Sequence, residues 1–192
     1  AALALGAYAV RRYYASREEE ALAGDSMRRM TASLAIQTAP RALYDLVANP
    51  ERLASVLESV ESVTRSDQGT SRWTVRSATG AAIQFEVEIV DDAPGSLIAW
   101  RTTPESQAGH HGVITFESGD KSHGTIVHVE IEQDMEEGGV LRRFFGASAE
   151  SQLRKELKRL KQFVETGELA TTRGQATGGR SLIGSALTRG ET

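Results

Sequence analysis

The stretch TIVHVEIEQ, residues 125–133, sets Thr125, Val127, Val129 and Ile131 in strict alternation with Ile126, His128, Glu130 and Glu132. Successive side chains of a strand point to opposite faces, so this segment reads as a β-strand with one apolar face and one mostly polar face. A sheet of such strands needs a cover on its apolar side. The chain supplies one between about Gly139 and Thr166, where Leu141, Phe145, Leu153, Leu157, Leu160 and Val164 recur at helical spacing and form a single stripe. Arg154, Lys155, Lys158, Arg159 and Lys161 fall away from that stripe, and Gly167 is the expected stop. The fold class that follows is α+β, a curved antiparallel sheet wrapped around a long C-terminal helix.

Upstream of that strand, turn signals at Asp67-Gln68-Gly69, Thr79-Gly80, Asp91-Asp92-Ala93-Pro94-Gly95 and Ser118-Gly119-Asp120 divide residues 56–133 into a meander. One strand sets Trp73 and Val75 against Arg72, Thr74 and Arg76; the next sets Ile83, Phe85, Val87 and Ile89 against Gln84, Glu86 and Glu88. A three-residue loop over Thr79-Gly80-Ala81 would pair Val75 with Phe85 and Trp73 with Val87, uniting the apolar faces, whereas a two-residue loop would oppose them to polar residues. The longer loop is therefore expected. Further strands are expected over Leu97–Arg101 and Gly112–Glu117. The meander is preceded by a first strand from Met30 to Thr38, a short helix from Pro40 through Val47, and a second helix beginning at Asn49-Pro50. The count is about seven strands, with two short helices after the first.

The 192 residues suffice for one domain with tails, and an apolar fraction of 40% is enough for a core. Lys and Arg number 22 against 26 Asp and Glu, for a net charge of -4, which disfavours nucleic acid as a partner. With no cysteine, disulfides, thiolate nucleophiles and Cys-based metal sites are excluded. Residues 1–10, AALALGAYAV, are uncharged and run into Arg11-Arg12-Tyr13-Tyr14. They are too short to span a bilayer, which takes about 20 apolar residues. Two readings stay open: the remnant of an anchor with a positive-inside flank, which would tether a cytoplasmic domain to the inner membrane, or a short leader. Residues 1–28 are thus an apolar segment and solvated linker, 29–167 the domain, and 168–192 a flexible tail poor in apolar residues.

The segments LIAWRTTPES (97–106), GVITFE (112–117), TIVHVEIE (125–132) and LKRLKQFVETGE (157–168), with the GQATGGR that follows, resemble the bacterial cyclase/dehydrase branch of the polyketide cyclase/dehydrase and lipid-transfer superfamily (START-like, SRPBCC). The resemblance runs from about Arg29 to Glu168 and implies a helix-grip fold. It also implies an apolar cavity between sheet and helix, in which relatives hold lipids, sterols, polyketides, quinones or hormones. Strand and helix parity places Trp73, Val75, Phe85, Val87, Ile114, Phe116, Val127, Val129, Phe145 and Leu153 towards that cavity or its floor. The same side chains serve equally as a solid core.

No catalytic residue, metal or cofactor stands out. His128 alternates with Val127 and Val129 and so points out of the pocket, while Arg76 and Arg101 belong to the solvated margin. His110 and His111 are adjacent in a strand and face opposite ways, so with His123 they make a poor metal site. The basic face of the last helix is either an ordinary solvated face or a contact for anionic headgroups. The expectation is a non-enzymatic binder of a hydrophobic small molecule at a membrane surface. The alternatives are a polyketide cyclase/dehydratase-like enzyme, favoured by an acid or base inside the pocket, and an interaction or stress-related domain with a vestigial pocket, favoured if Trp73, Phe85 and Trp100 fill it.

Overall fold

Alternation is what the chain turns into sheet. The computed structural model describes Arg12 and residues 27–66, 69–76, 80–106, 109–119, 124–134 and 149–168. Within them β1 (Met27–Ile36) is followed by α1 (Pro40–Val47) and α2 (Pro50–Val56). Strands β2 (Val60–Arg65), β3 (Ser71–Arg76), β4 (Ala82–Ala93), β5 (Leu97–Thr102), β6 (His110–Ser118) and β7 (Thr125–Asp134) come next, and α3 (Ala149–Thr166) closes the order. The strands form one antiparallel sheet of seven, in the order β1-β7-β6-β5-β4-β3-β2. Consecutive strands from β2 to β7 are neighbours, and β1 closes onto β7. The α1–α2 pair is the crossover from one edge of the sheet to the other.

The two short helices begin where the sequence places them. Pro40 and Pro50 each occupy the first turn, where a missing N–H costs nothing, and the Asn49 side chain accepts from Arg52 N at 3.0 Å as the cap of α2. Helix α1 buries Leu43, Tyr44, Leu46 and Val47. These pack with Ile36, Val56, Ile98, Phe116, Val127, Val129, Leu157 and Leu160 into the main core, so that sheet, α1–α2 corner and α3 share one apolar interior. Gly167 ends α3 with φ of 73°, its N–H donating to Phe163 O at 2.9 Å, a conformation that favours glycine.

Two expectations of register and extent are corrected. Strand β1 lies over Met27–Ile36 rather than 30–38, because its pairing with β7 continues to Met27 opposite Asp134. In the β3–β4 hairpin, Val75 faces Ile83 and Trp73 faces Phe85, two residues away from the expected pairing, and residues 77–81 make the connection. Parity alone cannot choose between these registers, since a shift of two keeps every apolar side chain on the same face. The helix expected from Gly139 is described from Ala149, and 139–148, with Leu141 and Phe145, lie outside the described residues. Among the described residues no helix is long and apolar enough to cross a membrane. The stretches 1–10 and 169–192 also lie outside them.

Candidate functional site

Between the inner face of the sheet and α3 lies a cavity of 410 Å³. Its floor is supplied by Trp73 and Val75 of β3, Phe85 and Val87 of β4, Ile114 of β6, and Val127 and Val129 of β7, while Leu153 of α3 forms part of the roof. Cross-strand pairing places these side chains together: Trp73 opposite Phe85, and Ile114 opposite Val129. Of the other two residues assigned to the cavity by parity, Phe116 is buried in the core beside it, edge-on to the Tyr44 ring at 5.9 Å. Phe145 lies outside the described residues. Trp73, Phe85 and Trp100 line the space without filling it.

Room for the Trp100 indole is made by Gly112, directly opposite on β6. A Cβ there would overlap Trp100 Cζ2 and stand 2.7 Å from Glu130 O, so only glycine lets the indole lie across the neighbouring strand.

Three polar groups in the cavity wall are engaged by the protein itself. Glu156 of α3, 8% exposed, accepts from Glu58 N and Ser59 N at 3.0 Å each, and from Gln152 Nε2 at 3.1 Å. Ser71 Oγ accepts from Trp73 Nε1 at 2.9 Å. Parity reasoning passed over Glu156, although a carboxylate beside Leu157, on the edge of the apolar stripe, is the signal that marks it. His110 also lines the cavity, its ring edge-on to Phe85 at 4.8 Å.

The cavity opens where its lining residues are themselves exposed. These are Ala48 after α1, Arg65, Ser66 and Gly69 at the β2–β3 turn, and Ile89 and Asp92 on β4. They converge because β3 starts at Ser71 opposite Val87, leaving the last residues of β4 paired with β5 alone. A bulge interrupts that pairing between Ile89 and Asp91, which places Asp92 opposite Ile98 on the inner face. There Tyr44 Oη donates to Asp92 Oδ1 at 2.5 Å. Burial first, and then this bond and the adjacent carboxylate charge, push the Tyr44 phenol up to about 12. Strict alternation hides Asp92, because Asp91-Asp92-Ala93-Pro94-Gly95 carries turn chemistry while the strand runs on through its bulge to Ala93. At the rim, Arg65 Nε donates to Glu51 of α2 at 2.9 and 3.1 Å.

The remaining polar candidates sit elsewhere. His128 is on the outer face, its Nδ1 2.7 Å from Ser33 Oγ. His111, also outside, places Nε2 2.9 Å from Glu132. Arg76 pairs with Glu61 and Arg101 with Glu88 on the solvent side of the sheet. His123 lies outside the described residues. On α3 several cations moor the helix: Arg159 Nε donates to Val56 O at 2.7 Å, Lys161 Nζ to Ala35 O at 2.7 Å, and Lys155 pairs with Glu58 at 2.9 Å.

Comparison with known proteins bears on this geometry. An uncharacterized 17.2 kDa protein of the melC2-rnhH intergenic region of Streptomyces lincolnensis is 25% identical over 155 residues, 80% of this chain and 96% of that protein. The crystal structure of a Deinococcus radiodurans protein superposes with a TM-score of 0.57 at 26% identity, covering 73% of this chain and 100% of that one. The di-domain ARO/CYC protein StfQ of the steffimycin biosynthetic pathway gives 0.60 at 15% identity, over 78% of this chain and 54% of that one, a likeness of fold. A family model described as polyketide cyclase / dehydrase and lipid transport matches residues 27–165, from the start of β1 to the last turn of α3. Strand order, gripping helix and match agree, and the chain belongs to the polyketide cyclase / dehydrase and lipid transport family.

Proposed function

We propose that this domain binds a hydrophobic small molecule in the cavity under α3, with Trp73, Val75, Phe85, Val87, Ile114, Val127, Val129 and Leu153 as contacts, and acts as a carrier rather than a catalyst. The observation that carries the reading is a space of 410 Å³ walled by apolar side chains, in which Glu156, Gln152 and Ser71 already have protein partners. A cavity of this size falls within the range of roughly 300 to 1,000 Å³ usual for small-molecule sites. Left empty, it forfeits the dispersion contacts of its whole lining, and an apolar guest restores them. Ring closure of a polyketide would instead need a base and a stabilised enolate aimed at bound substrate. The Glu156 carboxylate is spent on two backbone N–H groups, which removes the most buried acid of the cavity lining from such a role. The uncharged 1–10 stretch with Arg11 and Arg12, if it tethers the domain, would hold such a carrier at a membrane surface where apolar cargo is exchanged.

Native mass spectrometry of the purified protein, followed by organic extraction, tests the reading. A stoichiometric apolar adduct, lost on denaturation, is the expected result. Protein that carries nothing and takes up no apolar compound on incubation would leave only an interaction domain.

A further inference from the structure

The cavity has a polar rim as well as an apolar interior, and the rim is asymmetric. Among the described lining residues Arg65 bears the one permanent positive charge. It stands at the opening with its side chain 55% exposed, flanked by Ser66 and Thr70, and its counter-ion is Glu51 of α2. The other charge at the rim, Asp92, is held by the Tyr44 hydroxyl. A guanidinium presents a fork of donors, of which Nε is the one directed at Glu51.

We infer that the ligand is a single-chain amphiphile with an anionic head: its hydrocarbon part fills the cavity, and its head takes the place of Glu51 on Arg65. The inference rests on the binding role proposed above and narrows it to one chemical class. Two observations support it independently. At the packing density of protein interiors, a 410 Å³ space accommodates on the order of 15 to 18 methylene groups, which matches one hydrocarbon chain. In the interior, the bonded state of Glu156 and Ser71 leaves those groups no call for a polar function on the buried part of the guest, so the polar group of an amphiphile belongs at the rim. Exchange of one carboxylate for another keeps the half-exposed Arg65 paired, while Glu51, itself half-exposed, turns to water.

Displacement of a bound environment-sensitive apolar dye by tetradecanoic acid, tetradecanol and tetradecylamine, each below its micellar concentration and at pH 8, tests this. On the wild type the acid is expected to bind about fivefold tighter than the alcohol, the size of effect that a partly exposed ion pair supplies, and the margin shrinks in high salt. Arg65→Gln brings the ratio of acid to alcohol to about one. Glu51→Gln, which frees Arg65 from its present partner, raises it to about tenfold. Equal binding of acid and alcohol by the wild type, a preference for the amine, or an unchanged ratio in Arg65→Gln overturns the assignment of the head group while leaving the cavity as a binding site. A diacyl phospholipid that displaces the dye better than tetradecanoic acid overturns the single-chain assignment. If no compound binds and the dye itself is not taken up, the binding role fails with it.

Discussion

The Tyr44–Asp92 hydrogen bond depends on one extra residue in β4. Without the bulge before Asp91, Asp92 would share the outer face with Glu88, and the Tyr44 hydroxyl would face a cavity edge with no acceptor supplied by that strand. Tyr44→Phe removes the bond and is expected to cost about 1 kcal/mol in urea unfolding, because Asp92 at the rim can be rehydrated. The phenol gives a second readout. Its folded value of about 12 exceeds the ordinary value of 10, so the folded state holds the proton more tightly. Its contribution is fully present below pH 10 and lost as pH rises towards 12. Of the four tyrosines, one should therefore ionise late in an ultraviolet titration, and that late component should vanish in Tyr44→Phe. Four tyrosines titrating together in the folded protein would contradict the assignment. At Gly112 the expectation is steric. Gly112→Ala drives a methyl into the Trp100 indole and should cost about 1 to 3 kcal/mol with a shift of tryptophan emission. An unchanged spectrum and stability would show that the indole does not lie across β6.

Helix α3 is held to the sheet by more than its apolar stripe. Leu157 and Leu160 are buried, and around them Glu156 caps the backbone N–H groups of Glu58 and Ser59, while Arg159 and Lys161 bond carbonyls of α2 and β1. Glu165 adds to this at the last turn: its carboxylate accepts from Gln37 N at 2.8 Å, and this bond, together with Lys161, lowers its pKa. Glu156→Ala leaves two N–H groups at a poorly hydrated corner without acceptors and is expected to destabilise the domain by about 2 kcal/mol, with Glu156→Gln, which keeps one acceptor, costing less. Equal stability of both variants and the wild type would mean the corner is wetter than its geometry indicates. The elements themselves were readable in the sequence because each rests on a local rule: alternation for strands, proline at the first turn for α1 and α2, glycine after α3. What was not readable depends on three dimensions. The β3–β4 register escapes parity by a shift of two, the bulge that turns Asp92 inward has no marker in an apolar-polar pattern, and the role of Glu156 requires knowing that the N–H groups of residues 58 and 59 arrive beside α3. Arg154, Lys155 and Lys158 form the exposed face that the spacing indicates, whereas the long stems of Arg159 and Lys161 reach carbonyls that sequence spacing cannot show.

For the molecule as a whole, the central question is whether the space under α3 is functional volume or a defect in packing. Parity collected inward-facing side chains, of which Phe116 lies in the core beside the cavity, and it cannot distinguish a wall from a core, since both are apolar and both face inward; volume is a property of the assembled sheet curvature and helix position. The most direct measurement is binding of an environment-sensitive apolar dye to the wild type and to Ile114→Trp, in which an indole replaces a smaller side chain of the cavity floor. The account predicts one dye per wild-type protein, and loss of binding in the variant with thermal stability equal to or above that of the wild type, because filling a cavity in a folded domain tends to stabilise it. Dye binding that is unchanged in a folded Ile114→Trp protein would contradict the account by placing the ligand outside the cavity.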